Sequence, residues 1–280
     1  MKKSELRAML EARGLRPNSN FGQNFLIDEA LLARIPHDAG VSAGDHVLEV
    51  GPGAGALTEQ LLNVDAQVLA VELDRGLADL LRERFDQHIV SKQFNLIEGD
   101  VLASNEQFNP AVESWFARQK NAPYIVANLP YAISGPFLAR LPGRTLAGVT
   151  LLLQKEMAEK VSGPATNSEW SALSVRLSLC FECKLTRRVP PDVFWPRPQI
   201  DSAFLQLTPI ANGISREQDA RLNEVLRFSF GQRRKQLLGR LRKQYPMWAD
   251  ALTELGVPTD VRPGNIAPNV WLSALEKVDC

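Results

Sequence analysis

The run Val47-Leu48-Glu49-Val50, followed directly by Gly51-Pro52-Gly53-Ala54-Gly55, constrains this chain more than any other stretch. Its apolar part reads as a buried strand, and the spacing of Leu57, Leu61 and Leu62 predicts a helix opening after the glycines. Glycine lets the backbone turn tightly between the two and approach a ligand closely. A second strand, Gln67 to Val71, ends in Glu72, and Asp74 is placed to cap a helix with Leu77, Leu81 and Phe85 on one face. Strand, helix, strand in this order calls for a parallel sheet with its ligand beyond the carboxyl ends of the strands.

Two cofactor classes suit that unit. Gly51, Gly53 and Ala56 satisfy the dinucleotide pattern, and Glu72 lies 21 residues after Gly51, where an acid accepts from ribose hydroxyls, so an NAD enzyme is one reading. Glu49, two positions before the first glycine, instead makes an acidic-x-Gly-x-Gly-x-Gly run that resembles S-adenosylmethionine-dependent methyltransferases. That cofactor carries a sulfonium and an ammonium group but no pyrophosphate. A third strand, Phe94 to Ile97, leads into Glu98-Gly99-Asp100-Val101, and Asp100 offers an acceptor for an adenine amine. Acids ending successive strands favour a nucleoside without phosphates. A glycine turn that serves packing alone is the bland alternative.

A fourth strand, Tyr124 to Ala127, runs into Asn128-Leu129-Pro130-Tyr131. Asn128 and a neighbouring carbonyl can accept both N–H bonds of an exocyclic amine, Pro130 stiffens the turn, and Tyr131 offers a face for stacking. The same letters also describe a plain strand-ending turn with an aromatic plug. Val189 to Pro198 is the most proline-dense stretch of the chain, and its Phe194 reads equally as a second stacking wall or as core.

Elsewhere, residues 4–16 read as a short helix and Ile27 to Ile35 as another, capped by Asp28 and ended by Pro36 and Gly40. Residues 102–121 read as polar and as helical around Trp115 and Phe116, Val149 to Leu153 as a fifth strand, and Asp201 to Leu207 as a last, antiparallel one. After Pro209 only helical patterns remain, the first opening on a Ser215/Gln218 capping box. The expected organisation is therefore residues 1–208 as a cofactor-binding catalytic domain and 209–280 as a helical one.

Net charge is zero, yet the basic residues are concentrated: seven lie between Arg227 and Lys243, with no acid among them. Such a run is either a solvated face or a phosphate-binding surface, and its density favours phosphate. Cys180 and Cys183 sit three apart in a strand-like run, where they face opposite sides, so no metal site is expected. Met1 to Arg16 lacks the apolar core of a signal peptide, and no apolar run reaches membrane-spanning length, which reads as a cytoplasmic protein without membrane contact.

Together, Gly22-Gln-Asn-Phe-Leu26, Leu48 to Thr58, Val71-Glu72, Glu98-Gly-Asp100, Asn128-Leu-Pro-Tyr131, Gln154-Lys-Glu156, Leu173-Ser-Val175, Pro190-Pro191 with Phe194 and Pro196-x-Pro198, Asp201-Ser202 and Phe230-x-x-Arg233-Arg234-Lys235 resemble the ribosomal RNA adenine N6,N6-dimethyltransferases over nearly the whole chain. The resemblance is nearest to members that act on small-subunit (16S) rRNA. It implies a Rossmann-like seven-stranded α/β sheet with its last strand antiparallel, plus a small C-terminal all-α domain. It further implies S-adenosylmethionine bound around Gln23, Asn24, Leu26, Gly51, Gly53, Gly55, Glu72, Asp100, Val101 and Asn128. The target adenine would be held by Asn128, Tyr131 and Phe194, and the RNA by Arg233, Arg234, Lys235, Arg240 and Lys243. The implied partner is the immature small ribosomal subunit, met by a monomer. Asn18-Ser19-Asn20 and Ala165 to Glu169 lack the basic residue usual in those loops, and Trp170 replaces the usual Tyr. A DNA or protein-amide methyltransferase, or an assembly factor with secondary catalysis, are the other readings.

Overall fold

The computed structural model describes residues 1–18, 22–103, 107–163 and 170–279. Ser19, Asn20 and the loop positions 165–169 noted above lie outside the described residues. The chain divides into two compact units, one of Met1–Arg140, Thr145–Ala158 and Lys184–Thr208, the other of Leu141–Arg144, Glu159–Cys183 and Pro209–Cys280.

Among the described residues, nine strands form two sheets. β1 (Phe25–Leu26) and β8 (Phe194–Trp195) pair as a short antiparallel ribbon. The others are β2 (His46–Val50), β3 (Gln67–Glu72), β4 (Phe94–Glu98), β5 (Tyr124–Asn128), β6 (Gly148–Gln154), β7 (Phe181–Val189) and β9 (Ser202–Pro209), in the spatial order β4-β3-β2-β5-β6-β9-β7. β2 to β6 run parallel, and β9, the last strand of the chain, runs antiparallel to β6. The order reverses between β2 and β5, which is where ligands bind in open sheets of this kind. Central strands are mostly apolar, as burial on both faces favours: Val47, Leu48 and Val50 of β2 and Ile125, Val126 and Ala127 of β5 are all buried, with Glu49 the buried polar exception in β2. β7 alternates instead, and as an edge strand it carries Lys184, Arg187 and Arg188.

The helices in chain order are α1 (Lys3–Glu11), α2 (Glu29–Asp38), α3 (Ala56–Asn63), α4 (Arg75–Arg84), α5 (Asp86–Val90), α6 (Pro110–Arg118), α7 (Ser134–Leu138), α8 (Lys155–Ser162), α9 (Ala172–Ser178), α10 (Arg216–Phe230), α11 (Leu238–Gln244), α12 (Pro246–Glu254) and α13 (Pro268–Val278). Asp28 and Asp74 cap α2 and α4 as the sequence predicts, accepting from the Leu31 and Leu77 N–H groups. Pro36 does not end α2 but lies within its last turn. The stop comes from Gly40, at φ +75°, with Val41 N–H donating to the Pro36 carbonyl and Gly40 N–H to that of His37. Likewise α1 stops at Glu11, short of the expected residue 16, with Gly14 in the left-handed region beyond it.

In the second unit, Ser215 and Gln218 form the expected capping box at the start of α10. Buried Arg176 of α9 holds buried Asp219 of α10 through two bonds of 2.7 and 2.6 Å, so neither charge is left unpaired. Cys180 accepts from the Gly143 N–H at 3.3 Å. Burial pushes the Cys180 and Cys183 thiols up to about 11 and about 12, which leaves both unreactive.

Candidate active site

The Gly51–Gly55 loop after β2 and the Asn128–Tyr131 loop after β5 leave the sheet side by side, because β2 and β5 are neighbours at the switch point. A cleft opens there, walled by both loops, by residues 22–26 and by the ends of β3 and β4. A Cβ on Gly51 would come within 3.2 Å of Pro130, and one on Gly53 within 2.9 Å of the Phe25 ring. Both glycines have positive φ, so glycine is what allows these segments to converge. Gly55 is not part of the cleft wall. Its Cβ would meet the Phe85 ring at 2.5 Å, which makes it a packing requirement at the start of α3.

Glu72 is buried, and its two carboxylate oxygens accept from the Gly53 N–H at 3.0 Å and the Asp74 N–H at 2.9 Å. Each oxygen keeps a further acceptor site. Burial pushes this carboxyl up to about 7, against the pull of those backbone donors. Glu49, 1% exposed, is pushed up by burial to about 8 despite a 2.7 Å bond from the Thr58 hydroxyl, which ties α3 back to β2. Asp100 is exposed at the mouth, one oxygen held by the Leu102 N–H, and buried Val101 and Leu26 add apolar wall. Gln23 is pinned from both ends, accepting from the Asn18 N–H at 2.8 Å and donating to Asp74 at 3.2 Å.

The Asn128 amide nitrogen donates to the Asn24 carbonyl at 3.0 Å. That contact settles which end of the amide remains: the oxygen, an acceptor. Tyr131 lines the cleft half-buried, its hydroxyl 2.7 Å from that of Ser202 on β9.

The ionisable side chains of the wall bear on the cofactor class. Among the described residues it holds the carboxyl groups of Glu49, Glu72 and Asp100 and no Lys, Arg or His side chain. Burial keeps Glu49, and in part Glu72, protonated near neutral pH, so the wall offers oxygen acceptors and carboxyl groups that a bound sulfonium or ammonium would help to ionise, and no basic side chain to meet a pyrophosphate. The residues therefore fit S-adenosylmethionine, with acceptors for two ribose hydroxyls at Glu72 and for an adenine amine at Asp100. The sequence pattern of the ribosomal RNA adenine dimethylases matches residues 14–279. The chain belongs to that family. It is an S-adenosylmethionine-dependent enzyme that methylates adenine in ribosomal RNA.

Relatives agree. The chain is 40% identical to the ribosomal RNA small subunit methyltransferase A of Gloeobacter violaceus, over 78% of this chain and 76% of that one. It is 38% identical to the same protein of Parasynechococcus marenigrum, over 93% and 87%. The solved 23S rRNA methyltransferase ErmE superposes with a TM-score of 0.67 at 27% identity, covering 92% of this chain and all of that one. A dimethyladenosine transferase from Plasmodium falciparum shares the fold, with a TM-score of 0.69 at 23% identity over 91% of this chain and 97% of that one.

Besides Gly55, two more of the dimethylase's expected site residues, Phe194 and Arg240, are engaged in packing or in holding a helix end. Phe194 pairs with Leu26 across the β1–β8 ribbon, is 3% exposed and packs in the main core with Val189 and Phe204, outside the cleft wall. Phe194→Ala is accordingly expected to cost about 3–5 kcal/mol of stability in urea unfolding. A loss below about 1 kcal/mol would contradict that placement. In the second unit, Arg233, Arg234 and Lys235 occupy an exposed turn after α10, and Lys243 is exposed on α11. Arg240 differs. It donates to the Phe228 carbonyl at 2.9 Å and the Ser229 carbonyl at 3.4 Å, and its guanidinium lies 4.9 Å from the Phe228 ring centroid. It closes the last turn of α10 and holds the base of the basic turn.

The sequence assigns no role at the site to Thr58 or Ser202, and Asn24, expected at the cofactor, also holds the Asn128 amide through its backbone carbonyl. Ser202 lies 71 residues from Tyr131, so no local pattern signals their contact.

Proposed function

We propose that this enzyme dimethylates adjacent adenines at N6 in small-subunit (16S) rRNA during ribosome assembly, as a cytoplasmic monomer. Residues 1–208 carry the chemistry and 209–280 contact RNA. The observation that carries the reading is the fixed Asn128 amide, whose oxygen is left to accept from an amine beside an acid-lined cofactor cleft. The substrate subunit rests on the names of the relatives, which are small-subunit methyltransferases at 38–40% identity.

An exocyclic adenine amine is a weak nucleophile because its lone pair is delocalised into the ring. Hydrogen bonds from that amine to the Asn128 oxygen and a neighbouring carbonyl localise the pair and stabilise the positive charge that develops on nitrogen. When bound, S-adenosylmethionine supplies a methyl group made electrophilic by its sulfonium. Glu72 and Asp100 would hold the nucleoside end and the acid-lined wall would favour the cationic end, positioning the donor for the amine. No general base is needed before transfer, since the proton leaves a nitrogen that is by then cationic. A stacked base is out of reach of such a cleft, so the adenine must enter unpaired, against the Tyr131 face. Phe194 acts from behind, by supporting Leu26 in the cleft wall.

Mass spectrometry of RNA after reaction with unmodified small and large subunits tests the assignment. Dimethyladenosine in the small-subunit RNA is expected; label confined to large-subunit RNA would sink it. For RNA contact, reversing Arg233, Arg234 and Lys235 to Glu should weaken binding and reduce the slope of log K against log salt by about 2–3. An unchanged slope would remove this turn from the RNA-binding surface.

A further inference from the structure

Ser202 opens β9 and is completely buried. Its register partner on β6 is Gln154, and two residues earlier on β6 Leu152 pairs with Asn128, so the Ser202 hydroxyl lies just past the strand end from which the Asn128–Tyr131 loop departs. There it meets the Tyr131 hydroxyl at 2.7 Å, and this is its one side-chain hydrogen bond among the described residues. Pro130 holds the backbone on the near side of the ring, its carbonyl accepting from the Ile133 N–H at 3.1 Å. Tyr131 is thus held at both ends, by its own backbone at Cα and by a buried group at the para position. A ring held only at Cα would rotate about its first two side-chain torsions, and a base arriving from solution would have to halt that motion.

We propose that Ser202 is a positioning residue for base capture, whose buried hydroxyl tethers the Tyr131 phenol so that the ring face is set before the adenine arrives. This rests on the reading of Tyr131 as the stacking face. It explains why a Tyr, rather than a Phe, suits this position: the hydroxyl is used for anchorage and not for chemistry. It also gives β9 a second task, since the strand inserted between β6 and β7 carries the anchor for a loop on β5.

The test is a double-mutant cycle on methyl transfer to unmodified small subunits, with Ser202→Ala, Tyr131→Phe and the combined variant, read as kcat and KM for RNA. Each single change should lower kcat/KM for RNA about five- to tenfold, and the pair should be no worse than either alone, because both remove the same bond. S-adenosylmethionine affinity by calorimetry should stay within twofold, which a general loosening of the fold would not allow. Additive losses, or wild-type kcat/KM in Ser202→Ala, would overturn the tether. Tyr131→Ala separates the two levels. If it retains normal transfer, the stacking reading itself falls; if it loses transfer while Ser202→Ala and Tyr131→Phe keep it, only the tether falls.

Discussion

Replacing Asn128 by alanine is expected to slow methyl transfer by about 100- to 1,000-fold, measured in single turnovers with cofactor in excess. The magnitude follows from what the side chain does. Its oxygen is an acceptor aimed where positive charge develops, and removing one such preorganised partner typically costs about 3–4 kcal/mol of transition-state stabilisation. The loss should fall on the chemical step far more than on cofactor affinity, because in the proposed site the cofactor's nucleoside is taken by Glu72 and Asp100 at the ends of β3 and β4. Asn128→Asp is the sharper variant. With no amide N–H to donate, a carboxylate would face the Asn24 carbonyl across the present 3.0 Å contact, two acceptors opposed, and would turn away. A similar loss is therefore expected in spite of an added negative charge near a developing cation. Near wild-type transfer in either variant would remove Asn128 from the amine site.

Glu72→Ala should weaken S-adenosylmethionine binding by about 100-fold or more, since two hydrogen bonds to a charged acceptor are lost at about 1.5 kcal/mol or more each. Part of that loss passes through the protein itself, because the Gly53 and Asp74 N–H groups lose their acceptor as well. Glu72→Gln separates the contributions and carries a pH signature. In the free enzyme burial raises this carboxyl from 4.5 to about 7. A cationic ligand whose hydroxyls donate to it favours the ionised form, so the Glu72 contribution to cofactor affinity should rise with pH towards 7 and level off above. In Glu72→Gln that contribution should vanish, leaving only the rise towards pH 8 that Glu49 supplies. The sign for folding is opposite: the folded state holds this proton more tightly than the unfolded chain, so the contribution of Glu72 to stability falls as pH climbs from 4.5 to about 7. Across that window the loss is on the order of 1.4 kcal/mol for each step of one in pH. Glu49, raised to about 8, adds to it in the same direction. A cofactor affinity that is flat between pH 6 and 8 in the unsubstituted enzyme would overturn the assignment of Glu72.

Much of this is local, and what is local is legible. Asp28 and Asp74 are readable as caps because a cap and the N–H it accepts are three residues apart. The strand ends at Glu72 and Asn128 are readable because apolar runs give way to polar letters there. The letters mislead where two local signals compete. Pro36 looks like a helix stop, yet proline is tolerated within the last turn when a glycine four residues on can close it. The helical pattern around Trp115 and Phe116 is borne out, and the helix starts at Asn109-Pro110, whose side-chain cap and N1 proline are together a start signal. Neither β1 nor β8 is readable, since a strand of two residues has no period to detect.

The sequence by itself determined the parallel sheet, the glycine loop, the acids that follow β3 and β4, and the presence of a basic helical segment, because each is written in residues close together along the chain. Only the tertiary structure decided which end of the Asn128 amide faces the cleft, that Phe194 backs the wall instead of facing it, that Arg240 closes a helix, and that Ser202 holds Tyr131. Those four depend on partners 11 to 104 residues apart, or on burial against distant elements. Contacts over such separations are set by how strands are ordered in the sheet, and that order is a property of the packed chain, not of any segment of it.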